Sequence, residues 1–203
     1  LRHLERLSGC KLGDSSKPLL LSVRSGAAMS MPGMLDTFLN VGINPHVAEA
    51  LGEQSGSPWA AWDAYRRFLQ FWGMSFGLDR DLFDDLIADA KHRASVEKKT
   101  HFSPESMKEV AFQYRKLILD HKIAIIDDPF AQLQICVDLV LRSWDSPKAQ
   151  IYRKELQIAS DWGTAVIVQK MVYGNLHQHS GTGVALTRAP RQGSQEFQLY
   201  GDF

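Results

Sequence analysis

The chain has 203 residues, with 23 basic and 23 acidic side chains and a formal net charge of +0. This balance provides no positive surface field for nucleic acid or an anionic membrane, so we expect neither as a partner. No apolar run reaches the ~18 residues that a transmembrane helix requires. Cys10 and Cys136 lack the spacing of metal ligands, and we expect both thiols to be reduced. Because the sequence does not begin with methionine, we expect a piece of a longer protein.

Residues 1–44 form the first of three predicted zones, with a short helix, a strand and a loop rich in Met, Gly and Pro. The apolar run at residues 19–23 predicts a buried strand that ends at Arg24. A loop of small residues follows at positions 25–28. A guanidinium beside such a loop can bind a phosphate or a carboxylate through two oxygens at once. A salt-bridged strand end is the alternative interpretation of Arg24.

Residues 45–159 form the second zone, where the hydrophobic period changes to that of helices. Ser57 and Pro58 predict a helix start ahead of an aromatic stripe, which we expect to lie in the core: Trp62, Tyr65, Leu69, Trp72 and Phe76. Further helices are predicted at residues 80–98, 103–121, 128–144 and 146–157. In the helix at residues 128–144, one face is predicted from Leu133, Val137, Val140, Leu141 and Trp144. The acidic run at residues 79–85 is interpreted as a solvated helix face, and we expect no metal site in the chain.

Residues 160–203 form the third zone, which has strand character. Strands are predicted at residues 164–173, 183–188 and 196–203, with the first of these buried. A buried amide needs hydrogen-bond partners, so Gln169 in that strand is a candidate ligand contact. A second glycine loop lies at residues 180–183. The three zones together predict an α+β fold, with a helical insertion between strand-rich ends.

Several motifs, in one order along the chain, resemble the pyruvate, phosphate dikinase family. They lie at residues 22–27, 30–34, 36–37, 61–68, 128–133, 143–144, 152–153, 163–172, 180–184 and 187–188. Related phosphoenolpyruvate synthases and glucan dikinases share the surroundings of Arg24 but usually have another loop in place of residues 31–34. The resemblance covers nearly the whole chain.

The resemblance implies the nucleotide-binding part of an ATP-grasp domain. In the family, ATP, phosphate and pyruvate give AMP, pyrophosphate and phosphoenolpyruvate through a phosphohistidine on a separate domain, while another domain binds pyruvate. The resemblance further implies that Arg24, with Thr37 nearby, contacts the ATP phosphates and that Arg24 is catalytic. The remaining implied ATP contacts are the adenine hinge and the second glycine loop: Gln169, Met171, Val172, Gly181, Thr182 and Gly183.

The chain also lacks parts of the family pattern. The glycine-rich segment with the phosphate-binding lysine and the acidic residues that hold Mg²⁺ lie outside these residues, so we expect the fragment alone to be inactive. Its expected partners are ATP and the phosphohistidine and pyruvate domains of the parent chain, with a full-length homodimer left open. We expect a cytoplasmic protein, with an organelle as the alternative. The rival function is a non-catalytic nucleotide-binding or regulatory module of the same fold.

Overall fold

A computed structural model describes residues 1–29, 31–159, 161–175, 179–186 and 200–202 of the chain. Its contacts divide the chain into two compact units, Leu1–Met171 and Val172–Phe203, which are described separately. Within the described residues, no helix combines the length and the apolar character that crossing a membrane requires.

The first unit contains a three-stranded antiparallel sheet in the order β2-β1-β3. The strands are β1 (Leu21–Ser25), β2 (Thr37–Val41) and β3 (Val166–Lys170). Leu21 and Val23 point from β1 into the core, while Arg24 is exposed on the opposite face, as the period of two in a strand requires. The helical insertion separates β2 from β3 in the sequence, yet both flank β1.

Seven helices are described, most of them in the insertion between β2 and β3. They are α1 (Arg2–Ser8), α2 (Pro45–Ser55), α3 (Pro58–Ser75), α4 (Arg80–Ala94), α5 (Pro104–Asp120), α6 (Pro129–Arg142) and α7 (Pro147–Glu155). Short 3₁₀ turns lie at Lys99–His101 and Ser143–Asp145. The fold is therefore α+β, as predicted.

Prolines begin five of these helices, because the missing N–H of proline costs nothing in the first helical turn. The side chains of Ser103, Asp128 and Ser146 each accept a backbone N–H at the start of a helix. Ser57 was the predicted cap of α3, but its side chain accepts no such hydrogen bond. Pro58 therefore marks that helix start without help from a capping side chain.

Two predicted helix faces need correction. Trp62, Tyr65, Leu69 and Trp72 are buried, but Phe76 is 44% exposed because it lies just past the end of α3. Leu141 of α6 is also 44% exposed. The face of α6 that is buried contains Gln132, Cys136 and Val140, spaced four residues apart.

Gln132 was not predicted to be a core residue because it is polar. Its Oε1 accepts from the Gly42 N–H at 2.9 Å, and its Nε2 donates to the carbonyls of Ile43 and Ile126 at 2.9 and 2.7 Å. These bonds satisfy the buried amide and join α6 to the chain leaving β2.

The strands also differ from prediction in part. A loop was predicted where β2 forms, because the strand has only five residues and one of them, Asn40, has a positive φ of 60° just before Gly42. The strand predicted at residues 164–173 shortens to β3, whose residues are largely exposed rather than buried. In the second unit, β4 (Val184–Leu186) and β5 (Tyr200–Asp202) pair antiparallel. Residues 187–188, 196–199 and 203 of the predicted strands lie outside the described residues.

Candidate functional site

Three exposed residues form a row across the sheet of the first unit. Arg24 of β1 is the register partner of Thr37 on β2 and of Ile167 on β3. Directly opposed residues of antiparallel strands lie about 4.5–5.5 Å apart, so their side chains share one face. The fold thus brings together two residues, Arg24 and Thr37, that the resemblance implied for the ATP phosphates.

An open pocket of about 500 Å³ lies over this row. Its walls are the strand ends and the two loops that follow β1: Arg24, Ser25, Gly26, Ala27, Ala28, Met29, Met31, Pro32, Gly33, Leu35, Thr37 and Ile167. A single cationic side chain, Arg24, is present among these lining residues. Ile167 was not predicted as a site residue. Its position two residues before Gln169, and so on the same strand face, is the signal that could have identified it.

The loop after β1 lies tightly against β3. The Gly26 N–H donates to the Ala165 carbonyl at 2.7 Å. A Cβ atom at Gly26 would lie 3.1 Å from Cγ1 of Ile167, so only glycine fits this approach without displacing the neighbour. The small residues of this loop therefore hold it against the strand beneath the pocket.

The loop that contains Met29 and Met31 is anchored at one side of the pocket. Met31 and Leu35 are buried in a cluster with Trp144 and Ala149, whereas Met29 is 49% exposed. The loop's end is also held, because the Asp36 N–H donates to Oγ of Ser143 at 3.1 Å. Met31 therefore fills the core, while Met29 is placed where it can contact a bound molecule.

Arg24 carries the positive charge of the pocket. Its Nη2 donates to Oε1 of Gln169 at 3.2 Å. Among the ion pairs of the described residues, none includes Arg24. An exposed guanidinium that is held by a neutral amide keeps its charge available to an anion.

The predicted adenine hinge lies at the end of the first unit and the beginning of the second. Gln169 is exposed, not buried as predicted, and its Oε1 accepts from Nη2 of Arg24. Met171 is half-buried, and its N–H donates to the Leu20 carbonyl at 2.9 Å. Val172 is 87% exposed in the second unit.

The second glycine loop belongs to the second unit. Gly181, Thr182 and Gly183 are all exposed. A Cβ atom at Gly174 would lie 1.7 Å from Oγ1 of Thr182 and 2.9 Å from the Gly181 carbonyl oxygen, so only glycine allows this close approach. Within that unit the loop presents small residues and backbone groups at its surface.

The described residues contain no group of three or more His, Cys, Asp or Glu side chains that could hold a metal ion. Asp81, Asp84 and Asp85 of the acidic run are exposed, and Asp84 pairs with Arg80 at 3.3 Å. The described residues therefore lack a set of carboxylates of the kind that Mg²⁺ binds.

Comparison with known proteins identifies the family to which this sequence belongs. The family model described as "Pyruvate phosphate dikinase, AMP/ATP-binding domain" matches residues 2–200. The chain is 43% identical to pyruvate, phosphate dikinase of Rhizobium meliloti and 46% identical to the chloroplastic protein of that name from Mesembryanthemum crystallinum, in each case over all of the chain. It spans only 23% and 21% of the lengths of those two relatives. The chain belongs to the pyruvate phosphate dikinase AMP/ATP-binding domain family.

Proposed function

We propose that this chain forms one wall of the ATP site of a parent pyruvate, phosphate dikinase. The parent would convert ATP, phosphate and pyruvate to AMP, pyrophosphate and phosphoenolpyruvate. The phosphoryl group would travel on a histidine of another domain, and pyruvate would bind to a further domain. Membership of the AMP/ATP-binding family and the much greater length of the relatives support this proposal.

One observation carries the proposal: Arg24 stands beside Thr37 at an open pocket and has no carboxylate partner among the described residues. Its planar guanidinium can donate two parallel hydrogen bonds to phosphate oxygens. The Thr37 hydroxyl, on the neighbouring strand, can donate another. Phosphoryl transfer depends chiefly on such positioning and neutralisation of charge, which is the catalytic role proposed for Arg24.

The proposed adenine contacts lie at the end of β3. Because Met171 already donates its N–H to Leu20, we propose that adenine takes its backbone donor from elsewhere in the segment that includes Val172. Gln169 contributes through Arg24, which it orients. Gly181, Thr182 and Gly183 offer backbone donors to the phosphates or the ribose, since glycine permits close approach of oxygen atoms.

Magnesium belongs to the proposal only for the whole parent protein, where it would neutralise phosphate charge. The steps assigned to this chain are binding and orientation of ATP. The fragment alone is proposed to be inactive and to bind ATP weakly, since each absent charge-assisted contact is worth roughly 1.5–3 kcal/mol. The proposed location is cytoplasmic, with a plastid as the alternative that the names of plant relatives suggest. A homodimer of the parent is also part of the proposal.

The test separates the two half-reactions of the full-length parent. In Arg24→Ala, formation of the phosphorylated enzyme from ATP should slow by a factor on the order of 10²–10³. Arg24→Lys keeps the charge without the planar fork and should be intermediate. The pyruvate half-reaction, started from phosphorylated enzyme, should be unchanged. Arg80→Ala is the matched control, because it removes an arginine from an exposed ion pair.

Two outcomes would overturn the proposal. Equal damage to both half-reactions would mean that Arg24 maintains the fold rather than the nucleotide site. An unmodified parent that binds ATP but forms no phosphorylated enzyme would support the rival function, a non-catalytic nucleotide-binding module.

A further inference from the structure

A second pocket, of about 630 Å³, lies beside α7. It shares no lining residue with the pocket of Arg24. Its walls are Asp145, Gln150, Arg153, Lys154, Gln157 and Ile158. Five of these six side chains are polar or charged, so the pocket suits a polar molecule rather than a hydrocarbon.

Arg153 is the buried charge of this second pocket. The residue is only 6% exposed, and its guanidinium carbon lies 4.2 Å from the centroid of the Trp144 ring. Its Nη1 also donates to the Trp144 carbonyl. The stack and this bond hold the guanidinium in one place, as a preformed binding group requires.

The contacts of Arg153 include no carboxylate of the described residues. A guanidinium has five N–H donors, and the carbonyl of Trp144 accepts from only one of its nitrogens. Among the ion pairs of the described residues, none includes Arg153. Burying a cation is costly unless a counter-charge or hydrogen bonds compensate it. A carboxylate or phosphate in the pocket would supply both.

The other charged side chains that line the pocket add little to its net attraction for an anion. Lys154 is exposed and adds a second positive charge, while Asp145 contributes one carboxylate. Gln150 already uses its Nε2 to bond the Asp145 carbonyl at 2.8 Å. Asp145, Arg153 and Lys154 together give the pocket a net charge of +1, and the buried guanidinium of Arg153 is the group that is held in place.

We infer that this pocket binds the oxyanion group of a small polar molecule through the guanidinium of Arg153. Lys154 adds a second, exposed contact. The volume is in the range of about 300–1,000 Å³ that is usual for small-molecule sites, so the ligand is larger than a bare ion. Phosphate and carboxylate groups share the required chemistry. The inference does not depend on the proposed function of Arg24.

The experiment places the probe at Trp144 in the full-length parent protein. The protein is labelled with 5-fluorotryptophan, and the resonance of Trp144 is identified by its loss in Trp144→Phe. Because the Arg153 guanidinium stacks on this ring, an anion beside it changes the shielding of the fluorine. Inorganic phosphate and acetate are titrated separately, so that the two sources of oxyanion are distinguished. Trp59 is the matched control, since its indole N–H, like that of Trp144, is buried without a partner among the described residues.

We expect a saturable shift of the Trp144 resonance with one of the two anions and no shift of Trp59. Arg153→Lys should raise the half-saturating concentration by about tenfold or more, since it loses the planar fork and the stack. Lys154→Gln, at an exposed position that does not threaten the fold, should raise it by a factor of about two to five. Arg24→Ala should leave the titration unchanged.

Three results would overturn the inference. The first is the absence of a saturable shift with both anions. The second is a titration that is unchanged in both Arg153→Lys and Lys154→Gln. The third is loss of the shift in Arg24→Ala, which would show that the Trp144 response reports an anion in the other pocket.

Discussion

The guanidinium of Arg24 is hydrogen-bonded to the side-chain amide of Gln169, a residue 145 positions later in the sequence, with Nη2 and Oε1 separated by 3.2 Å. The two residues are diagonal neighbours, because Arg24 pairs with Ile167 across β1 and β3 while Gln169 pairs with Ser22. The bond therefore links a residue proposed for the phosphates to one predicted for the adenine end. It orients the guanidinium without neutralising its charge.

The first prediction concerns this bond. Gln169→Leu removes a hydrogen bond from the charged Arg24 guanidinium that is exposed to solvent and therefore contributes only about 0.5–1.5 kcal/mol, so the affinity of the full-length parent for ATP should fall by a factor of about two to ten. Gln169→Glu should weaken ATP binding further, because its carboxylate would pair with Arg24 and compete with phosphate. Calorimetric titration with ATP measures both.

Gln113→Leu is the matched control for Gln169, since Oε1 of Gln113 accepts from an arginine, Arg93, at the same distance of 3.2 Å in the helical region. Its affinity for ATP should match that of the unmodified protein. If Gln169→Glu bound ATP as well as Gln169→Leu, competition for Arg24 would be refuted.

The second prediction concerns Asp63, a buried carboxylate of α3 with three cationic partners. Its oxygens lie 2.8 Å from Arg66 Nη2, 3.0 Å from Arg67 Nε and 3.3 Å from Lys99 Nζ. Burial acts to raise the pKa of Asp63, but the three cations together outweigh it and lower the pKa below its ordinary value of 3.8. Asp63→Asn leaves these cations without their counter-charge and should cost about 3–5 kcal/mol of stability.

The pH dependence of this effect follows from the lowered pKa. The carboxylate of Asp63 stabilises the folded state fully above the ordinary pKa of 3.8, and this contribution is lost as the pH falls through the lower folded-state pKa. The difference in melting temperature between the unmodified protein and Asp63→Asn, measured by calorimetry, should therefore be large at neutral pH and shrink in acid. Asp84→Asn, in an exposed ion pair, should cost less than about 1 kcal/mol. Equal effects of the two substitutions would contradict the prediction.

The third prediction concerns Gly42, which follows β2 with a positive φ of +99°. A Cβ atom there would lie 2.5 Å from Cδ1 of Leu12 and 3.2 Å from the Leu19 carbonyl oxygen. Gly42→Ala should cost about 2–4 kcal/mol, from backbone strain and overpacking together. Gly56→Ala isolates the strain alone, because Gly56 has a φ of +67° and, apart from its chain neighbours, no atom of the described residues lies within 4 Å of such a Cβ; it should cost about 1–2 kcal/mol. Thermal unfolding compares the two, and similar costs would refute the packing argument.

The fourth prediction concerns the two thiols. Burial raises the pKa of Cys136 to about 12, whereas Cys10 is only partly buried. Iodoacetamide at pH 8 should therefore alkylate Cys10 at least about tenfold faster, since the thiolate is the reacting form. Peptide mass spectrometry measures both rates in one sample. The raised pKa also means that folding favours the neutral thiol, a contribution present at neutral pH and lost as the pH rises toward 12. Equal alkylation rates in folded protein would show that the α6 core opens readily.

The helices show which structural features local sequence patterns can predict. Proline in the first turn, with Ser103, Asp128 and Ser146 as caps, marks helix starts within a few neighbouring residues, and these starts were predicted correctly. The buried face of α6 was not, because burial of Gln132 depends on backbone groups at Gly42 and Ile43, about 90 residues away in the sequence. A polar residue enters the core only where such partners exist.

The candidate site also has some features that local sequence predicts and others that depend on the tertiary structure. The sequence by itself determined the family, the strand that contains Arg24 and the small-residue loop after it, because these depend on local apolar runs and on motifs read in order; β1 spans Leu21–Ser25 rather than the predicted residues 19–24. Only the tertiary structure decided that Thr37, Arg24 and Ile167 form one row and that Gln169 is exposed and bonded to Arg24. The physical reason is that β3 reaches β1 across the whole helical insertion. The register of such a distant strand pair is set by packing of the folded chain, not by the residues of either strand alone.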